Sequence, residues 1–262
     1  PFFFHSLKWR AVLSGLVVPG VELWYFPGSF TGQLMLLIML GQALLIGGVL
    51  IVLPLARRGL GQLPRKTTLG FLAYFLGLGL GFLMIEISFV QKYVLVLGYP
   101  TYSLSVTVCS LLVSAAVGAA LSRRGWNRPE RFLSMLLVVT VGLVVLEGAA
   151  LPVLRAHVLA ASLPVRVAMT VLMQFPLGVA LGMYFPTGLE LLRRLEPRLI
   201  PWAWAVNGVA SVAATVLAVI LAMEIGFSNV ALVAAGAYVV GTLALLAALR
   251  PHRASAATAN RS

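Results

Sequence analysis

The sequence contains no aspartate and only one cysteine, and this composition limits the chemistry that its side chains can perform. Its seven acidic residues are all glutamates, which argues against aspartate-dependent catalysis and against a metal site built from several carboxylates. Cys109 lies in an apolar stretch and has no second cysteine for a disulfide or a CxxC motif. The histidines His5, His157 and His252 are far apart in the chain. We therefore predict no bound metal and no cofactor.

Catalytic motifs are also missing. The sequence has no Walker A motif, no HExxH and no GxSxG, and its glycine-spaced GLGLG run lies inside an apolar stretch, not between a strand and a helix. The loops between apolar stretches are too short to hold a catalytic domain. The sequence thus argues against an enzyme activity of this polypeptide without excluding one.

Charged residues are scarce, at 10% of the chain, whereas a soluble domain averages about 25%. The hydrophobic fraction is 61% and the mean hydropathy is +1.02. These values predict an all-α, polytopic integral membrane bundle whose partner is the lipid bilayer. The net charge of +12 does not indicate nucleic acid, because the basic residues lie in short clusters between apolar stretches.

Apolar runs of membrane-spanning length predict about seven transmembrane helices. We expect an interfacial aromatic and basic segment over residues 1–30, a seven-helix domain over 31–249 and a disordered polar tail over 250–262. Whether residues 7–26 also cross the membrane stays open. The predicted spans are 31–55, 68–96, 101–121, 132–153, 165–189, 199–224 and 227–249.

Most basic residues lie after spans one, three and five and in the tail, so the positive-inside rule predicts a cytoplasmic C-terminus and an N-terminus outside. These residues are Arg57, Arg58, Arg65, Lys66, Arg123, Arg124, Arg128, Arg131, Arg193, Arg194, Arg198, Arg250, Arg253 and Arg261. Glu147 and Glu224 are then expected near the outer surface, as interfacial residues.

Glu86 is the carboxylate of greatest interest, because it is set within the apolar run of span two. An ionisable residue in a membrane helix normally faces protein, water or a partner. Two interpretations stay open: a buried structural pair that fixes helix packing, or a proton or cation site. The candidate intramembrane polar cluster comprises Glu86, Gln91, Lys92, Gln174 and Asn207.

Small residues predict where helices approach closely. The candidate packing glycines are Gly77, Gly81, Gly178, Gly182 and Gly208. Span five also contains two prolines, Pro176 and Pro186. A kinked structural helix is the favoured interpretation of these prolines, and a broken helix at a substrate site is the alternative.

Three stretches resemble the C-terminal membrane region of bacterial multi-pass proteins of the spermidine-synthase-like (aminopropyltransferase-like) class. They are GFLMIEISFVQKYVLVLGYPTYSLSV, GMYFPTGLELL and PWAWAVNGVASVAATVLAV. The resemblance implies a membrane domain or subunit in the bacterial inner membrane. The nucleotide-binding and catalytic positions of that family belong to a soluble domain and have no counterpart in this sequence.

The opening PFFFHSLKW resembles the segment that follows such a soluble domain, so we expect Pro1 to continue a longer polypeptide. A cytoplasmic domain before Pro1 conflicts with an N-terminus outside. Either residues 7–26 cross the membrane or the attached domain is extracytoplasmic.

Three functions are consistent with the sequence. The first is an anchoring and scaffolding domain for a soluble domain or other membrane subunits. The second is a permease-like secondary transporter with Glu86 as its proton or cation site. The third is an accessory subunit of a larger membrane complex.

Overall fold

The apolar stretches of the sequence form six long α-helices, separated by short polar breaks, in the computed structural model. The structure describes residues 29–58 and 63–259, with side chains at 32–51 and 63–249. The helices are α1 (Ser29–Arg58), α2 (Arg65–Leu97), α3 (Pro100–Leu121), α4 (Pro129–Val158), α5 (Leu163–Leu195) and α6 (Ile200–Ala259). Within the described ranges, all six are long and apolar enough to cross a membrane.

This architecture confirms the predicted all-α membrane bundle. The predicted interfacial segment, 1–30, lies outside the described residues except at its end, where α1 begins. The end of the predicted tail, 260–262, also lies outside them. The helix α6 continues to Ala259, so residues 250–259 are helical where the sequence predicted a disordered tail.

Helix α6 contains the last two predicted spans. The apolar stretch Pro197–Leu249 includes the turn before α6 and most of α6. It would be about 80 Å long as one straight helix, whereas the hydrocarbon core of a bilayer is ~30 Å thick. The backbone leaves the helical conformation at Gly226, with φ 77° and ψ 155°. Gly226 therefore divides α6 into a first half (200–225) and a second half (227–259), at the boundary that the sequence predicted between spans six and seven.

Proline and glycine set the other helix boundaries. Gly98 ends α2 in the left-handed conformation, with φ 87°, and its N–H donates to the Val94 carbonyl at 2.9 Å. Pro100 then lies in the first turn of α3, where its missing N–H is not needed. Pro176 and Pro186 do not end a helix, because α5 continues through both.

Helix α2 lies between the two halves of α6. On one side, a Cβ added at Gly77 would lie 2.5 Å from the Ala237 carbonyl oxygen, and one at Gly81 would lie 2.5 Å from the Tyr238 ring. The second half therefore packs directly on the backbone of α2. Both glycines hold the close contacts predicted for them.

On its other side, α2 contacts the first half of α6. A Cβ at Gly79 would clash with the Asn207 backbone, and the Asn207 Nδ2 donates to the Phe75 carbonyl at 3.2 Å. The Ser211 hydroxyl donates to the Gly79 carbonyl one turn further along both helices. The first half thus runs parallel to α2, and the second half returns antiparallel to it.

Helices α3 and α5 form a second close pair. A Cβ at Gly178 would lie 2.5 Å from the Ser114 Cβ, and one at Gly182 would clash with the Ala115 backbone. On the α3 side, a Cβ added at Gly118 would clash with the Val179 backbone of α5. Gly208 differs from the prediction: it is exposed, and an added Cβ there would meet nothing within 4 Å. Asn207 beside it carries the helix contact instead.

Antiparallel packing brings exposed basic residues together at one end of the bundle, named here the basic end. They are Arg65, Lys66, Arg123, Arg124, Arg128, Arg131, Arg193, Arg194 and Arg198. Glu190 pairs with Arg193 and Arg194, both at 2.7 Å. The Arg194 Nη1 also donates to the Trp126 carbonyl at 3.1 Å, which joins the end of α5 to the turn after α3.

Candidate functional site

Glu147 of α4 is a buried carboxylate inside the bundle. Only 4% of its surface is exposed, and the Tyr93 hydroxyl of α2 donates to its Oε1 at 2.6 Å. The other carboxylate oxygen, Oε2, is buried and has no hydrogen-bond partner among the described residues. A buried acceptor without a donor is unfavourable, so this oxygen marks a place where a further group would be stabilised.

Gln174 of α5 lies beside this pair. Its Nε2 is 3.4 Å from the Thr107 hydroxyl of α3, and its side chain also interacts with the Tyr93 hydroxyl. Its carbonyl oxygen, Oε1, is buried and lacks a donor within the described structure. Tyr93, Thr107, Glu147 and Gln174, here called the polar cluster, therefore come from four different helices and contain two acceptor oxygens without donors.

Lys92 is a cationic side chain that acts on the polar cluster. Its ammonium acts electrostatically on the Glu147 carboxylate, but the two groups do not form a salt bridge. The ammonium lies 5.8 Å from the centroid of the Phe89 ring, a cation–π distance. Lys92 thus reduces the electrostatic cost of a charged Glu147 without satisfying its free oxygen.

An apolar groove lies between α4 and α5 next to Glu147. Its volume is about 720 Å³, within the ~300–1,000 Å³ of small-molecule pockets. Glu147 and His157 are its polar lining residues, and the remainder are aliphatic side chains, methionines and Pro176. Leu146, Val153 and Leu172 line it and are also exposed, so the groove opens sideways on the bundle surface.

The five residues of the predicted polar cluster do not lie together. Gln174 and Lys92 lie in or next to the polar cluster that the structure forms. Glu86 is half-buried and has no hydrogen-bond or ion-pair partner among the described residues, and Gln91 is exposed. Asn207 bonds the α2 backbone elsewhere.

Glu147, which the sequence predicted near the outer surface, has its carboxylate buried inside the bundle. The sequence predicted span four over 132–153, which places Glu147 close to its end. Helix α4 instead extends to Val158, and the carboxylate lies against α2 and α5.

A second groove, of about 530 Å³, lies between α2, α3, α5 and the first half of α6. Asn207 and Ser211 supply much of its polar lining, but both already donate to carbonyls of α2. The donor groups of these two side chains are therefore already satisfied within the protein.

The described residues contain no group of three His, Cys, Asp or Glu side chains that could hold a metal ion. Cys109 is exposed on α3 and has no disulfide partner. The polar cluster thus consists of a carboxylate, a phenol, an amide and a hydroxyl, and its acceptor oxygens without donors are suited to binding hydrogen-bond donors.

Comparison of the chain with known proteins gave no match, whether to a protein-family model, to a curated protein or to a solved structure.

Proposed function

We propose that this chain is the membrane domain of a spermidine-synthase-like protein of the bacterial cytoplasmic membrane, and that it anchors and scaffolds a soluble domain or partner subunits. The observation that carries the proposal is the packing of α2, whose glycines contact the backbone of α6 on both sides. Such close contacts make the centre of the bundle a fixed platform, because packed backbones cannot be displaced without losing many contacts. On this proposal the chain catalyses no reaction by itself.

The orientation belongs to the same proposal. The positive-inside rule puts the basic end in the cytoplasm, so the C-terminus is cytoplasmic and the N-terminus is outside. The exposed arginines at the basic end then face anionic headgroups and any cytoplasmic partner. Glu190 holds two of them in fixed positions.

Co-purification tests the scaffold. The protein is extracted from its native membrane in a mild detergent, and its complex is sized and its subunits are quantified. We expect a defined stoichiometry with a soluble domain or subunit. Charge reversal at the basic end, with Arg124→Glu and Arg128→Glu together, is expected to weaken the complex if the partner is cytoplasmic, whereas Arg155→Glu on the other end is the matched control. Turnover of a substrate by the purified chain alone in liposomes would refute the proposal.

A permease-like module is the second candidate, and the specific observation that favours it is the buried carboxylate with a free oxygen. Proton-coupled transporters place ionisable groups inside their bundles. Proteoliposomes with an imposed pH gradient and an internal pH-sensitive dye test it. Proton flux that is lost in Glu147→Gln but retained in Glu86→Gln would support Glu147 as the coupling residue, and the reverse pattern would support Glu86. Absence of flux in the unsubstituted protein would count against proton coupling.

A further inference from the structure

The α4/α5 groove and the Glu147 carboxylate that lines it form a compartment with an apolar part and a polar part. The groove is apolar along nearly its whole length, and its carboxylate belongs to the polar cluster, where two acceptor oxygens lack donors. Such a compartment matches a ligand with an alkyl chain and a headgroup rich in N–H or O–H donors. This match does not depend on the scaffold role.

The lateral opening indicates the route by which the ligand arrives. Leu146, Val153 and Leu172 are both lining residues and exposed residues, so the groove is continuous with the outer surface of the helices. In a bundle with this composition that surface faces acyl chains. An occupant therefore enters from within the bilayer, which favours a single-chain amphipathic molecule over a water-soluble metabolite.

The chemistry of the free acceptors selects the headgroup. An ammonium group has three donors and no acceptor, so it could satisfy the Glu147 Oε2 at the side of the groove. A positive charge also compensates the carboxylate, which Lys92 approaches without forming a salt bridge. An anionic headgroup would place an acceptor and a negative charge against the Glu147 carboxylate.

We propose that the α4/α5 groove binds the alkyl chain of an amphipathic primary amine, whose ammonium group donates a hydrogen bond to the Glu147 carboxylate. The ligand class is a long-chain alkylamine that partitions into the bilayer. Tyr93 stays bonded to the Glu147 Oε1 and keeps the carboxylate in position.

Photolabelling of the full chain tests the proposal. The probe is a long-chain primary alkylamine with a diazirine on its chain, added to the protein in phosphatidylcholine nanodiscs. Labelled peptides are located by mass spectrometry. We expect labels on the faces of α4 and α5 that line the groove. The unlabelled alkylamine should compete, whereas its N-acetyl derivative, which has the same chain but no charge, should compete poorly.

Two pairs of variants separate the headgroup site from the chain site. Glu147→Gln should reduce labelling about tenfold or more, because charge-assisted hydrogen bonds are the stronger ones, whereas Glu86→Gln should not change it. Ala150→Phe fills the groove and should also reduce labelling, whereas Ala149→Phe, on the exposed side of the same helix, should not.

Three results would overturn the proposal. They are equal competition by the amine and its N-acetyl derivative, labelling spread evenly over all helices, and labelling that is unchanged in a folded Glu147→Gln. If Glu147→Gln does not fold, the competition experiment on the unsubstituted protein still decides the role of the charge. The Ala150→Phe and Ala149→Phe variants still decide whether the groove binds the alkyl chain.

Discussion

A carboxylate inside a bundle of apolar helices is stable only if the bundle supplies partners for its oxygens. In this protein Glu147 receives one hydrogen bond from Tyr93 and an electrostatic contribution from Lys92. At the scale of single residues, the 2.6 Å bond from Tyr93 is therefore the contact on which the polar cluster most depends.

Tyr93→Phe keeps the ring, and with it the edge-on contact to Phe89, but removes the hydroxyl. The Glu147 Oε1 then loses its donor while remaining buried. Leaving a buried acceptor unsatisfied costs about 1–3 kcal/mol, so we expect a lower melting temperature in detergent micelles. The melting temperature is measured by circular dichroism during heating.

Tyr102→Phe is the matched control for this prediction, because the Tyr102 ring is largely exposed and contacts Tyr99 without using its hydroxyl. Its effect should stay within about 0.5 kcal/mol. Equal melting temperatures for Tyr93→Phe and the unsubstituted protein would mean that the Tyr93–Glu147 bond contributes nothing.

The sequence singled out Glu86 as the intramembrane carboxylate, whereas the structure buries Glu147 more completely. Both are single glutamates in long aliphatic runs, and composition cannot tell which side of such a helix is buried. A helix that is apolar all round carries no periodic signal for its buried face. Only the packing of α4 against α2 and α5 makes Glu147 the buried one. Gln174, by contrast, was predicted and lies in the polar cluster.

At the scale of helices, glycine spacing determines which pairs approach most closely. The α3/α5 contact depends on Gly182, where an added Cβ would clash with the Ala115 backbone. Backbone cannot rotate away as a side chain can. We expect Gly182→Ala to destabilise the bundle by about 1–3 kcal/mol through overpacking.

Gly208→Ala is the control for that substitution, because an added Cβ there meets nothing within 4 Å. It should be neutral, or stabilising by about 0.5–1 kcal/mol from helix propensity alone. Thermal unfolding of both variants in the same detergent compares them. Equal changes in melting temperature for Gly182→Ala and Gly208→Ala would mean that α3 and α5 are not in close contact at Gly182.

Gly226 controls the direction of α6. Its φ of 77° with ψ of 155° is a region that residues with a side chain rarely adopt. Space is not the constraint, since a Cβ there meets nothing within 4 Å. Gly226→Ala should therefore cost about 1–3 kcal/mol from backbone strain alone. Gly236→Ala, in the helical second half and equally unobstructed, should not destabilise. A Gly226→Ala protein that melts like the unsubstituted one would argue against this break.

The sequence predicted part of the helix packing. The spacing of Gly77 and Gly81 and of Gly178 and Gly182 correctly indicated close contacts, because small residues at this spacing share one helix face. Gly208 was misassigned because Asn207 next to it makes the contact. Gly118 was missed, since nothing in one helix shows which partner approaches it.

At the scale of the whole molecule, composition alone predicted the class of fold. A chain that is 61% hydrophobic cannot leave its backbone polar groups unpaired in lipid, and helices pair them internally. The break at Gly226 also agrees with the boundary drawn between the last two predicted spans. The sequence could not predict the α4/α5 groove, because a groove depends on how two neighbouring helices pack against each other.

The direction of the bundle in the membrane gives the last prediction. Asn127 lies in the exposed turn at the basic end, and Ala160 lies in the exposed turn between α4 and α5 at the other end. The exposed Cys109 is first replaced by Ser, and single cysteines are then introduced as Asn127→Cys and Ala160→Cys. Because arginines are retained on the cytoplasmic side, we expect a membrane-impermeant maleimide to label Ala160→Cys in intact cells and Asn127→Cys only after permeabilisation. The reverse labelling would place the basic end outside and refute the proposed topology, whereas labelling of both sites in intact cells would mean that the two turns do not lie on opposite sides.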